Sequence, residues 1–274
     1  MNYQKFSWLA VLAFSLSALA QVAPPAKLSI LILTGQRDTY HEWVATTAMM
    51  KSILEATGRF EVKMNEEPRD IGAGTLAHYD AILINYLDRG LPERGFGPRT
   101  EAALLEFVRS GKGLLLPHYT LGSFRYWEEF EQLAGGVYRP GFGGHGARQD
   151  VPVKLRDENH PITKGLKSPL PHYQDELYAH MRFRGAPGFH LLASAWDDHS
   201  LYKEAERKTL SGPGTETPVL WTVPYGKGRV VGYTLGHDAE IMRSRTYGVL
   251  LTRSLEWAAS GEVTIAIPKE LQKQ

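Results

Sequence analysis

Gly113-Leu114-Leu115-Leu116-Pro117-His118 is an unbroken apolar run closed by a histidine. A strand with no polar alternation is one covered on both faces, the habit of parallel strands layered between helices. In open α/β sheets the loop just beyond such a strand is where ligands and reacting groups collect, because several strand ends and helix N-termini converge there. His118 therefore stands where a reacting group is expected. The chain contains no cysteine, so thiolate nucleophiles are excluded.

Working outward, Leu28 to Leu33 is a second apolar run and predicts a central strand, while Phe60 to Met64 and Tyr79 to Tyr86 predict two more. A helix carrying Trp43, Val44, Met50 and Leu54 is expected between the first two, ending near Gly58. Another is expected from Thr100 to Arg109, with Thr100 as its cap. This β-α-β-β-α-β order predicts an open, doubly wound and mostly parallel sheet with right-handed crossovers and helices on both faces.

Beyond His118, a helix is expected from Phe124 to Leu133, then a glycine-rich loop from Pro140 to Gly146 and extended chain at Val151 to Leu155. Strands are expected at Phe189 to Trp196, Pro218 to Val223 and Gly228 to Tyr233, the last two joined by a tight turn at Pro224-Tyr225-Gly226-Lys227. An amphipathic helix over Ser244 to Ala259 follows, with Tyr247, Leu250, Leu251, Leu255 and Ala258 as its stripe.

The amino terminus has a basic start, Met1 to Lys5, an apolar stretch from Phe6 to Leu19, and Ala18-Leu19-Ala20 before Gln21. That pattern predicts a secretory signal peptide over residues 1–20 and a periplasmic or secreted protein. The stretch falls short of the ~20 apolar residues of a membrane span, and the absence of cysteine excludes a lipidated N-terminal cysteine. A mature chain of about 250 residues suits one domain, residues 21–274. A net charge of +1 without a Lys/Arg block argues against nucleic acid or anionic membrane as partner. A small molecule is expected instead, and thirteen tyrosines and six tryptophans suit a carbohydrate, although most aromatics are core.

Four polar clusters can carry chemistry. His118-Tyr119 and His237-Asp238-Ala239-Glu240 both follow apolar strands, so the two histidines are expected to share one crevice as acid/base groups or metal ligands. Arg37 to His41 follows the first strand; Arg37 and His41 either hold a ligand or belong to a solvated turn capped by Asp38 or Thr39. In Asp175-Glu176, adjacent side chains of an extended segment point opposite ways, so at most one faces the crevice; either is a candidate carboxylate. His145 is a lid residue or an exposed loop histidine. Tyr86 and Tyr119, at strand ends, complete the candidate ligand contacts with Arg37, His41 and His145. Because there is no H-E-x-x-H, a divalent metal such as zinc would need ligands from distant loops, with His118, His237 and His145 the candidates. No P-loop and no G-x-S-x-G elbow is present.

The loop running into Tyr40-His41, the turn and strand ending in His118, and Gly228 to Val231 through Gly236-His237-Asp238 together resemble the ThuA-like (trehalose utilisation) family. His160-Pro161-Ile162 with Gly165-Leu166, and Asp175-Glu176, resemble it as well. The resemblance spans nearly the whole mature chain and implies a flavodoxin-like fold of the class I glutamine amidotransferase type. In that superfamily the corresponding elbow bears a cysteine; here His118 occupies the elbow, and His237 with Asp238 or Glu240 resembles the later histidine and acid. Glutamine hydrolysis through a thioester is therefore excluded. What the resemblance implies instead is carbohydrate catabolism: hydrolysis or elimination on glycosides, 3-keto glycosides among them. Catalysis would rest on His118, His237, Asp238 and one of Asp175 or Glu176. The alternative is a non-catalytic sugar-binding or interaction module on the same fold.

Overall fold

The computed structural model describes residues 26–274, so the expected signal peptide lies outside the described residues. Chain order is β1 (Leu28–Leu33), α1 (Trp43–Ala56), β2 (Phe60–Asn65), α2 (Ala73–Leu76), β3 (Ala81–Ile84), α3 (Pro98–Arg109) and β4 (Gly113–Pro117). It continues with α4 (Glu128–Ala134), β5 (Gly136–Val137), β6 (Lys154–Leu155), β7 (Arg182–Phe183), β8 (His190–Asp198), α5 (Glu204–Arg207), β9 (Gly214–Tyr225), β10 (Gly228–Tyr233) and α6 (Arg245–Ser260).

The main sheet has eight strands in the order β2-β1-β3-β4-β10-β9-β8-β6. From β2 to β10 every pairing is parallel, in the flavodoxin order. The sheet is then extended by antiparallel β9, β8 and β6. Side chains of the parallel strands alternate between two apolar layers. Ile30, Ile32, Leu83, Leu115, Val231 and Tyr233 meet α1 and α6, while Leu31, Ile82, Leu114, Leu116 and Val230 meet α3 and α4. Burial of each such leucine or isoleucine stabilises the fold by roughly 2 kcal/mol. Helix α6 lies so close to β4 that a Cβ on Gly113 would stand 2.5 Å from the Ala258 carbonyl oxygen.

The expected stripe of α6, Tyr247, Leu250, Leu251, Leu255 and Ala258, is buried. Three local expectations change. Thr100 lies inside α3, which starts at Pro98 after Gly97; its hydroxyl accepts from the Ile71 amide and donates to the Pro68 carbonyl instead of capping. Helix α4 begins only at Glu128, because Phe124, at φ 54°, is left-handed. In α1, Val44 is exposed and the buried face carries Thr46 and Thr47 with Met50 and Leu54. Those threonines sit under the site: Thr47 bonds Thr34 at 2.9 Å, and the Asn85 amide donates to Thr47 at 2.7 Å and Thr46 at 3.1 Å.

Candidate functional site

The carboxyl ends of β1, β4 and β10 each lead to a histidine. His118 comes first after β4 and takes φ 35°, a left-handed conformation uncommon for a residue with a side chain. That sharp strand-to-turn corner carries the ring into the sheet end, where it is 1 % exposed. Nδ1 lies 2.6 Å from the Thr234 carbonyl oxygen, just beyond β10. A carbonyl only accepts, so Nδ1 bears the proton and Nε2 keeps a lone pair. That Nε2 is buried and has no hydrogen-bond partner. Burial, followed by the neighbouring His41 and His237, drives the ring well below its ordinary protonation range, so it is a neutral base.

His41 is buried at the start of α1. Its Nδ1 lies 3.2 Å from Asp38 Oδ1, and Asp38 is held by Arg89 at 2.5 Å and by the Tyr40 amide at 2.9 Å. Burial and the nearby His237 pull His41 down to about 4, outweighing the pull of Asp38, so it too is neutral. Its Nε2 faces the Tyr178 hydroxyl at 3.5 Å, and Tyr178 stacks on His118 with ring centres 4.1 Å apart.

His237 is placed by an acid far away in sequence. Asp175 is fully buried: Oδ2 accepts from the Gly236 amide at 2.7 Å and from His172 Nε2 at 2.8 Å, and Oδ1 from the His237 amide at 3.2 Å and the Glu176 amide at 2.8 Å. His172 is itself positioned by Ser244 at 3.0 Å. Gly236 takes φ 100°, and a Cβ there would meet the Tyr247 ring at 2.3 Å. The next side chain, Glu176, points the other way: Oε2 stands 2.9 Å from His237 Nδ1, close enough for an ion pair though out of line for a hydrogen bond. Burial pushes the Glu176 carboxyl up, but His237, His145 and His41 together hold it below its usual range, so it is a carboxylate.

Ring centres of His41, His118 and His237 lie 5.0 to 5.5 Å apart, and one nitrogen from each lies within 4.8 Å of the others. An ion equidistant from three nitrogens 4.8 Å apart would sit about 2.8 Å from each, so shifts under ~1 Å per ring give zinc–imidazole bonds of about 2.0–2.1 Å. Three imidazoles, with His118 Nδ1 on a carbonyl and His41 Nδ1 and His237 Nδ1 beside carboxylates, make a donor set suited to a borderline divalent cation. Glu176 and His145 also line a cleft of ≈940 Å³ with Tyr138, Arg148, His180 and Tyr202, at the upper end of the size of small-molecule sites.

The third ring of the cluster is thus His41, and His145 lies outside it. His145 Nε2 is 3.8 Å from Glu176, and its loop is fastened to Ala179 through the Gly144 backbone. Asp238 faces away from His237: it accepts from the Glu240 and Ile241 amides and pairs with Arg148 at 2.7 Å. Arg37 is exposed, and Arg89 is the arginine that meets Asp38. The Tyr86 hydroxyl is spent on the Arg94 carbonyl at 2.6 Å among Phe96 and Phe124. Tyr119 is buried against His41, its ring centre 4.5 Å away, with its hydroxyl 3.4 Å from Thr46. Tyr178 and His172 were not singled out from sequence; both flank Asp175-Glu176 in one short aromatic-rich segment, and that spacing was the available signal.

Fold and site define a flavodoxin-like α/β protein whose strand ends carry a histidine cluster. The family model ThuA, trehalose utilisation, matches residues 29–258, and the chain belongs to that family. It is similar to a putative ThuA-like protein from Parabacteroides merdae ATCC 43184 (27 % identity, 90 % of this chain and 95 % of that one, TM-score 0.74). It is also similar to one from Bacteroides uniformis ATCC 8492 (17 %, 90 % and 98 %, TM-score 0.65). A cold-adapted β-galactosidase from Rahnella sp. R3 shares the fold over 84 % of this chain and 31 % of its own length, at 16 % identity and TM-score 0.51. No curated protein matches.

Proposed function

We propose that the chain is an exported enzyme of carbohydrate catabolism. It would carry out hydrolysis or elimination on a glycoside at a divalent-metal centre of His41, His118 and His237, with Glu176 as general base. The observation that carries this reading is the buried, partnerless Nε2 of His118, whose Nδ1 proton is committed to Thr234 while two further imidazoles each bring a nitrogen within 4.8 Å. An orphaned buried nitrogen is costly unless something binds it. A divalent ion there supplies Lewis-acid polarisation of a sugar hydroxyl or carbonyl.

The chain's own residues do the rest. Tyr138 and Tyr202 line the cleft in which a sugar ring would lie. On a glycoside oxidised at C3, the carbonyl acidifies the C2 hydrogen. Glu176 takes that proton, the C2–H electron pair forms the C1–C2 double bond, and the C1–O bond breaks. The departing oxygen receives a proton from Glu176 or from water, and addition of water across C1 and C2 completes hydrolysis. Burial keeps the Tyr178 hydroxyl protonated beside the cluster. Export rests on the pattern of residues 1–20.

The test is turnover of 3-keto glycosides against their unoxidised counterparts, with chelation and with folded His118→Ala and Glu176→Gln variants. Loss of about 10²–10⁴-fold is expected for Glu176→Gln, the range for a general base. Binding of sugar without turnover by the wild type would overturn the reading in favour of a binding module, and unchanged turnover in both variants would overturn the roles given to His118 and Glu176.

A further inference from the structure

A second group of ligand-type side chains reaches the same cleft through His180. Asp197 is the penultimate residue of β8, His199 opens the turn that follows the strand, and His180 precedes β7; one donor atom of each lies within 4.8 Å of the others. Asp197 is fully buried, and among the described residues its only ion-pair partners are these two histidines. Its remaining contact is the Tyr202 hydroxyl, 3.0 and 3.1 Å from the two oxygens. A buried carboxylate with no permanent cation beside it is a costly arrangement. His199 repeats the pattern of His118: it is 4 % exposed, Nδ1 is committed to the Gly212 carbonyl at 3.0 Å, and Nε2 has no hydrogen-bond partner. Spacing is already close to that of a coordination shell. His180 Nε2 and His199 Nε2 lie 3.1 and 3.6 Å from the same oxygen, Asp197 Oδ2. These values bracket the ~3.3 Å edge of a tetrahedron with bonds of about 2.0–2.1 Å. His180 takes φ 53°, a left-handed conformation that turns its ring to this point, and it lines the cleft with Tyr202.

We propose that His180, Asp197 and His199 form a second divalent-cation site, of zinc type by its two imidazoles and one carboxylate, with its fourth position open to the cleft. The ion neutralises Asp197, occupies the lone pair of His199 and takes the place of the His180–Asp197 hydrogen bond. It ties the end of β8 and the 199–212 segment to the cleft wall at His180 and Tyr202, where the open position accepts an oxygen of the ligand. The site stands whether or not the three-histidine cluster binds metal.

Metal-stripped full-length protein is titrated with Zn²⁺ by calorimetry, bound zinc is counted by elemental analysis, and Co²⁺ is used for its visible absorption. Two equivalents are expected for the wild type. His199→Ala and Asp197→Asn each lose one equivalent, and His118→Ala loses the other. If the three-histidine reading fails alone, the wild type binds one equivalent, which His199→Ala abolishes and His118→Ala does not. Unchanged stoichiometry and cobalt spectrum in His199→Ala would overturn the second site. Should that variant not fold, His180→Gln, at a part-exposed position, decides in the same way.

Discussion

Replacing Asp175 with asparagine keeps the side chain's size and removes one acceptor oxygen from a fully buried position. In the native fold the carboxylate accepts four hydrogen bonds, two on each oxygen: Gly236 amide and His172 on one, His237 and Glu176 amides on the other. Asparagine offers one acceptor oxygen and an NH₂ group, so turned one way it leaves the His237 and Glu176 amides facing a donor, and turned the other it leaves the Gly236 amide facing one while His172 must move its proton to its other nitrogen. Each buried donor left unsatisfied costs about 1–3 kcal/mol, which gives a loss of roughly 3–5 kcal/mol. For a chain of this size each kcal/mol lowers Tm by about 2–4 °C, so a drop of roughly 6–20 °C is expected. Chemical denaturation and thermal melting of the wild type, Asp175→Asn and Glu176→Gln check it. Glu176 faces the cleft, so Glu176→Gln should stay within about 1 kcal/mol of the wild type, as part-exposed positions away from buried networks do. A loss below about 1 kcal/mol for Asp175→Asn would refute the claim that this carboxylate holds the His237 loop.

Gly236→Ala forces a side chain onto a φ of 100° and into the Tyr247 ring, so a loss of at least about 2 kcal/mol is expected from overpacking and strain; a wild-type denaturation midpoint would contradict it. His160 is pulled to about 4 by burial and by His190, and its Nδ1 accepts from the Ile162 amide. Because the unfolded chain takes that proton first, stability from His160 is present above about pH 6.5 and is lost as pH falls towards 4. His160→Gln should therefore flatten the stability profile in that window, and a profile of unchanged slope would show that the group does not contribute.

Continuous apolar runs made the parallel half of the sheet legible, because a strand buried on both faces has nowhere to put a polar side chain. The same logic brought His118 and His237 into view, each being the first histidine after such a run. Its limit appears at His41. The loop after β1 was recognised, but whether it faced ligand or solvent depended on Asp38 being held by Arg89, fifty-one residues on. Asp175 and Glu176 were equal candidates in sequence, since alternation says that neighbours diverge and not which of them looks inward.

By itself, then, the sequence determined the fold class, the ruling out of cysteine chemistry and the end of the sheet at which chemistry is expected. Those follow from composition and periodicity, which are local. Only the tertiary structure decided that His41 and not His145 joins the two strand-end histidines, that Asp238 is claimed by Arg148, and that His180, Asp197 and His199 meet. Each depends on which long-range hydrogen bond claims a given nitrogen or oxygen, and the order of residues along the chain does not specify that.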